Sequence, residues 1–178
     1  MRILLAGIAG GIVMFIWSFV AHELTPLATV GVHTLPNESA TVAAIAASIG
    51  DKHGLYLFPF DMNARPSAAT GPGGFLVYNP HSPLTMTPRN LIVEFLTEVA
   101  ESILAAWLLA QTALAAYAMR VGFVTMVGMT GAIVTNVPYW NWYTFPLDYT
   151  AAYSLIEIVA FFAAGLAIAA ILRPNTKA

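Results

Sequence analysis

Apolar positions in this chain run on in long blocks instead of alternating with polar ones. Four blocks reach the length of about 20 residues that a helix rising 1.5 Å per residue needs to cross a bilayer core. They extend from about Ile3 to Leu24, Pro88 to Met119, Val121 to Tyr139 and Tyr149 to Leu172. The first is read as a retained anchor: its apolar run is too long for a signal-peptide core, and Phe19 and Ala21 before His22 make a poor small-x-small cleavage site. Only Arg120 and Gly122 punctuate the joint between the second and third blocks, which predicts a tight helical hairpin there.

Between the first two blocks, residues 25–87 follow other periods. The run from Ser39 to Ile49 places Val42, Ile45, Ala46 and Ile49 on one helical face, with Asn37 or Ser39 as its cap. Leu55 to Phe58 and Phe75 to Tyr78 are strand-like, rich in aromatic and branched residues, and separated by a Pro, Gly, Asn and Ser stretch that suits an antiparallel hairpin. The fold expected is an all-α membrane protein, a four-transmembrane-helix bundle forming a single domain over 1–178. A small outer cap of one short helix plus a β-hairpin lies between helices 1 and 2.

Composition agrees. The chain of 178 residues is 58% hydrophobic and 9% charged, against about 25% charged in soluble domains, and its mean hydropathy is +0.73. An ordinary soluble fold is excluded, and the lipid bilayer is the first expected partner. Other membrane subunits or a second copy follow. A net charge of −2 argues against nucleic acid. The absence of cysteine excludes disulfides, thiolate zinc sites and iron–sulfur clusters.

Charge is sorted along these blocks. Arg2, Arg120, Arg173 and Lys177 fall on one side, so by the positive-inside rule both termini are expected in the cytoplasm of a multi-pass protein of the cell inner (plasma) membrane. Lys52, Arg65 and Arg89 sit in the long first loop and count for less. The nine acids (Glu23, Glu38, Asp51, Asp61, Glu94, Glu98, Glu101, Asp148 and Glu157) and the histidines His22, His33, His53 and His81 fall on the outer side or in the outer half of a span. Helix-end chemistry accounts for Asp148 and for Glu94. Glu98, Glu101 and Glu157 lie deeper, where a charge normally faces a cavity or a partner. Glu94, Glu98 and Glu101 share one helical stripe at i, i+4 and i+7.

Glu94, Glu98, Glu101, Glu157 and Asn141 are therefore the candidate ligand- or cation-binding residues. His22, Glu98 and Glu157 are a weaker candidate set for a divalent metal such as Mn, Fe or Zn. Neither Glu-x-x-His nor His-x-x-x-His spacing accompanies them. Tyr139, Trp140, Trp142 and Tyr143 suit an aromatic belt at the membrane interface, with Asn141 between the two tryptophans free to bond a carboxylate. Gly7 with Gly11, and Gly128 with Ala132, are small-xxx-small pairs that let helices approach closely. Pro83, Leu84, Thr87 and Glu94 recur as Pro146, Leu147, Thr150 and Glu157. Gly7, Gly10, Ile12 and Val13 recur as Gly128, Gly131, Ile133 and Val134, so the spans read as a weak tandem repeat.

The strings LPNE (Leu35 to Glu38), GLYLFP (Gly54 to Pro59), GFLVYNP (Gly74 to Pro80) and PYWNWYTFP (Pro138 to Pro146) resemble those of an uncharacterised group of small bacterial four-span membrane proteins. The resemblance covers nearly the whole chain and carries no activity. Three functions are expected, in this order. The first is a non-enzymatic accessory or interaction subunit of a membrane complex. The second is outer-face binding or transport of a cation or small polar ligand through the carboxylate/His cluster. The third is a membrane metalloenzyme.

Overall fold

The structure, a computed structural model, describes residues 1–59, 71–81 and 85–173. Its α-helices there are α1 (Arg2–Phe19), α2 (Glu38–Ile49), α3 (Pro88–Ala110), α4 (Tyr117–Tyr143) and α5 (Leu147–Ile171). A hairpin of β1 (Gly54–Phe58) and β2 (Gly74–Tyr78) lies between α2 and α3. Asp61, Arg65, Lys177 and the Pro83 and Leu84 members of the proposed repeat lie outside the described residues.

The chain divides into two units. One comprises Met1–Val32, Met86–Asn141 and Phe145–Ala178; the other comprises His33–Thr85 and Trp142–Thr144. The smaller unit holds the expected short helix and hairpin. Asn37 occupies the N-cap position of α2 without a side-chain capping bond, and Gly50 ends the helix at φ +68°. The strands pair antiparallel from Gly54↔Tyr78 to Phe58↔Gly74. At the last pair only glycine leaves room for the Phe58 ring, because a Cβ on Gly74 would collide with it.

The larger unit is a helical membrane assembly. Arg2–Leu24, Tyr117–Tyr143 and Leu147–Ile171 are long and apolar enough to cross a membrane. α3 has 23 residues, about 35 Å of helix, but Arg89, Glu94, Glu98 and Glu101 set it apart from those three. Its start is strongly specified. Thr87 Oγ1 accepts the Asn90 N–H at 3.3 Å, and Pro88 takes the first helical position, where its missing N–H costs nothing.

Two expected boundaries move. α3 stops at Ala110 instead of reaching Met119, because Gln111 and Thr112 turn the chain: their N–H groups bond the Leu108 and Leu109 carbonyls, and Thr112 Oγ1 donates to Leu109 O at 2.8 Å. The joint is thus residues 111–116, and Arg120 lies inside α4, buried, with Nη1 donating to the Leu172 carbonyl at the end of α5. At its other end α4 runs through Pro138 to Tyr143, so Trp140, Asn141 and Trp142 are helical and not part of a loop. Helices in lipid tolerate an interior proline because neighbouring groups satisfy the freed carbonyl.

α1 packs against both α3 and α5. Without a hydrophobic drive between helices in lipid, close van der Waals packing must hold them together, and small residues supply it. Gly7 and Gly11 sit against the Ile103 and Val99 backbone of α3, while Gly10 meets Ser102 and Ile168. Gly128 of α4 sits directly on Phe161 of α5. Ala6, Met14, Ala105, Leu109, Val124 and Ile168 fill the middle.

Candidate functional site

The last turn of α1 widens into a π-helix, Val20–Leu24, which carries His22. Such turns recur at functional sites. His22 Nδ1 donates to the Ser18 carbonyl at 2.9 Å, so in the neutral ring Nε2 is the acceptor. Thr25 Oγ1 closes the turn on Ala21 O at 2.7 Å. Beyond it the chain crosses the start of α5 at Gly31, whose φ is +73°. A Cβ there would stand 2.7 Å from Tyr149 Cβ, so both the backbone angle and the close approach require glycine.

Below this turn, a cavity of about 330 Å³ opens between α1, α3, α4 and α5. Ser18 and His22 line it from α1 and the π-turn, Glu94, Glu98 and Glu101 from α3, and Glu157 from α5. The stripe on α3 therefore faces inward, but its members differ. Glu98 is 7% exposed, has the Ser18 side chain as its hydrogen-bonding neighbour, and leaves Oε2 buried with no partner. Glu94 and Glu101 remain exposed at the cavity rim. Glu157 reaches across from α5 and interacts electrostatically with Glu101.

Glu157 is held by two features of α4. Gly131 leaves the space its carboxylate occupies, since a Cβ there would lie 2.6 Å from Oε1. Asn136 Nδ2 donates to Oε2 at 3.3 Å and to the Ala132 carbonyl at 3.0 Å. The asparagine that meets a carboxylate is thus Asn136. Asn141 is exposed and does not line the cavity, because five residues of helix turn it about 140° away from Asn136.

Aromatic groups form part of the wall. Trp17 Nε1 donates to the Ile156 carbonyl at 2.9 Å, fixing its ring between α1 and α5. Tyr139, Phe145, Tyr149, Tyr153 and His22 make successive ring contacts, the tightest a stack of Tyr149 on Tyr153 at 4.3 Å. In the sequence only the i, i+4 spacing of Tyr149 and Tyr153 marks this ladder. All four expected belt residues are exposed, and two of them also make ring contacts, Tyr139 with Phe145 and Tyr143 with Phe75.

A second hollow, about 350 Å³, adjoins the first and shares Ser18, His22 and Glu94 with it. Its other walls are chiefly apolar, from Phe15, Phe19, Met86 and Leu91, with Glu23 and Asn90 as polar members. The cavity thus combines four carboxylates with an apolar groove, and no Lys or Arg lines either hollow among the described residues. His22, Glu98 and Glu157 share the cavity, yet among the described residues no group of three His, Asp or Glu side chains is placed to hold one metal ion. No protein-family model, curated relative or solved structure matches this chain.

Proposed function

We propose that the chain is a four-span protein of the inner membrane, with both termini cytoplasmic, that binds an amphiphilic organic cation at its outer end. α3 serves as the fourth span, its glutamates turned to the cavity instead of to lipid. The observation that carries the ligand class is the buried Glu98, whose Oε2 has no partner in a cavity that offers four carboxylates and, among the described residues, no Lys or Arg. Carboxylates gathered in this way repel one another and lose hydration, so a bound cation relieves both penalties. Trp17 and Tyr153 add aromatic faces suited to an ammonium group.

The adjoining groove selects an amphiphile. Its apolar walls accept an alkyl chain while the shared Ser18, His22 and Glu94 mark where the head turns inward. Each hollow is at the lower end of the 300–1,000 Å³ range of ordinary ligand sites. An organic head is favoured over a metal because the carboxylates surround a space and do not converge on a point. An accessory role in a larger complex, the first expectation from sequence, is compatible with this site but is supported by no contact in the protein.

Calorimetric titration of the maltoside-solubilised protein with dodecylamine tests the proposal. Saturable binding is expected, weakened at least tenfold in a Glu98→Gln plus Glu157→Gln variant, with no competition from dodecanol. Phosphatidylethanolamine serves as the lipid arm and should bind less well, since its phosphate meets the same carboxylates. Absence of saturable amine binding, or binding indifferent to the double substitution, overturns the assignment. Elemental analysis showing one tightly bound metal, lost in that variant, would replace the organic cation by a metal.

A further inference from the structure

We infer that the opposite end of the helical unit holds a second site, a pocket for a phosphate group built by Arg2, Arg120 and Arg173. The first turn of α1, the end of α3 with its connection, Arg120 of α4 and the residues ending α5 enclose about 290 Å³ there. Three guanidinium-bearing residues line it, and no Asp or Glu does among the described residues. It shares no residue with the carboxylate cavity.

The positive-inside rule places basic residues at this end of a membrane protein without any site. That rule is satisfied by side chains that reach water or headgroups. It does not account for Arg120, which is 7% exposed and has a buried Nε with no hydrogen-bond partner. One Nη of Arg120 serves the Leu172 carbonyl, and the guanidinium lies 5.9 Å over the Tyr117 ring. Neither contact neutralises the charge. A buried arginine without a carboxylate needs an anion, and its planar donor fork matches phosphate oxygens. The start of α1 adds the positive end of a helix dipole. Ile3, Leu109, Leu114 and Leu172 give the pocket apolar walls beside its charge, which suits a phosphate carried by a lipid as well as a free one.

Native mass spectrometry with dioleoyl phosphatidic acid against dioleoylglycerol tests the lipid source. Thermal unfolding in inorganic phosphate against chloride at equal ionic strength tests the free one. Retention of phosphatidic acid, a shift in midpoint with phosphate, or both is expected, and the arm that responds identifies the source. Arg2→Gln with Arg173→Gln, both at helix ends, should weaken the response about tenfold or more, as expected for losing charge-assisted bonds. Arg120→Lys, which keeps the charge and loses the fork, should weaken it less than the double variant does. No preference for phosphate in either arm, or a response unchanged in Arg2→Gln plus Arg173→Gln, overturns the site.

Discussion

Replacing Gly11 by alanine tests the seam on which the larger unit is built. The new Cβ would stand 2.5 Å from Val99 Cα and 2.9 Å from its backbone nitrogen. Carbon atoms pack at about 3.5–4.0 Å, so the shortfall is roughly 1 Å. Because the obstacle is backbone, no rotamer change relieves it, and α1 and α3 must separate. Overpacking of this kind destabilises by about 1–3 kcal/mol. For a chain of this size each kcal/mol moves the unfolding midpoint by roughly 2–4 °C. Gly7, one turn earlier, stands 2.6 Å from Ile103 Cα by the same construction. One displacement relieves both clashes, so Gly7→Ala plus Gly11→Ala should cost less than the sum of the singles. Gly122→Ala is the control: nothing lies within 4 Å of its added Cβ, and alanine is the better helix former by about 1 kcal/mol. Far-UV circular dichroism during heating in one neutral detergent measures all four variants. A midpoint for Gly11→Ala equal to that of the parent chain, or an equal loss in Gly122→Ala, would refute the packing argument.

Two further substitutions bear on the cavity. Glu98→Gln keeps shape and removes a buried charge that no Lys or Arg of the cavity offsets, so the unfolding midpoint should rise while dodecylamine affinity falls; a fall in both would mean that Glu98 is structurally paired. Trp17→Phe removes the bond to the Ile156 carbonyl, worth about 0.5–1.5 kcal/mol. It should also abolish the change in tryptophan emission on adding dodecylamine, and a change that survives would place the ligand away from this wall.

Much of the fold was legible because lipid imposes a simple rule on length and apolarity. α1 with its π-turn and α5 begin and end within two residues of the expected spans, and the hairpin pairs as its residue types require. The joint between α3 and α4 lies earlier than the sequence pattern places it, because a charged residue such as Arg120 in an apolar run has the appearance of a breaker. A buried arginine can stay inside a helix when a carbonyl such as that of Leu172 accepts from it, and only tertiary packing supplies that acceptor. The common stripe of Glu94, Glu98 and Glu101 followed from spacing, whereas its convergence with His22 and Glu157 required an inward orientation that only packing supplies. The partner of Glu157 did not follow from spacing either, because choosing between Asn136 and Asn141 depends on helix phase, and Asn141 drew notice through its tryptophan neighbours. Gly131, whose missing side chain makes room for the carboxylate, was visible only as one member of a repeat.

The two hollows have opposite charge, and what lies between them decides how they act on each other. Arg2 and His22 are separated by 20 residues along α1 and its π-turn, about 30 Å if the rise is helical throughout. At an effective dielectric constant of about 20, an ammonium and a phosphomonoester of one to two charges attract at that distance by about 0.6–1.1 kcal/mol, a change of roughly three- to sixfold in affinity. Between the sites the glycine seam and the cluster of Ala6, Met14, Val124 and Ile168 form an apolar core. Electrostatics alone therefore permits phosphatidic acid to raise dodecylamine affinity by no more than about sixfold, and salt should reduce even that. A larger enhancement requires movement of the α1–α3 seam, the element both hollows share. In that case Gly11→Ala, which displaces the seam, should change the coupling as well as the stability. Titrating dodecylamine with and without phosphatidic acid, in the parent chain and in Gly11→Ala, separates the two mechanisms. Coupling above about sixfold that is unaffected by Gly11→Ala would contradict both.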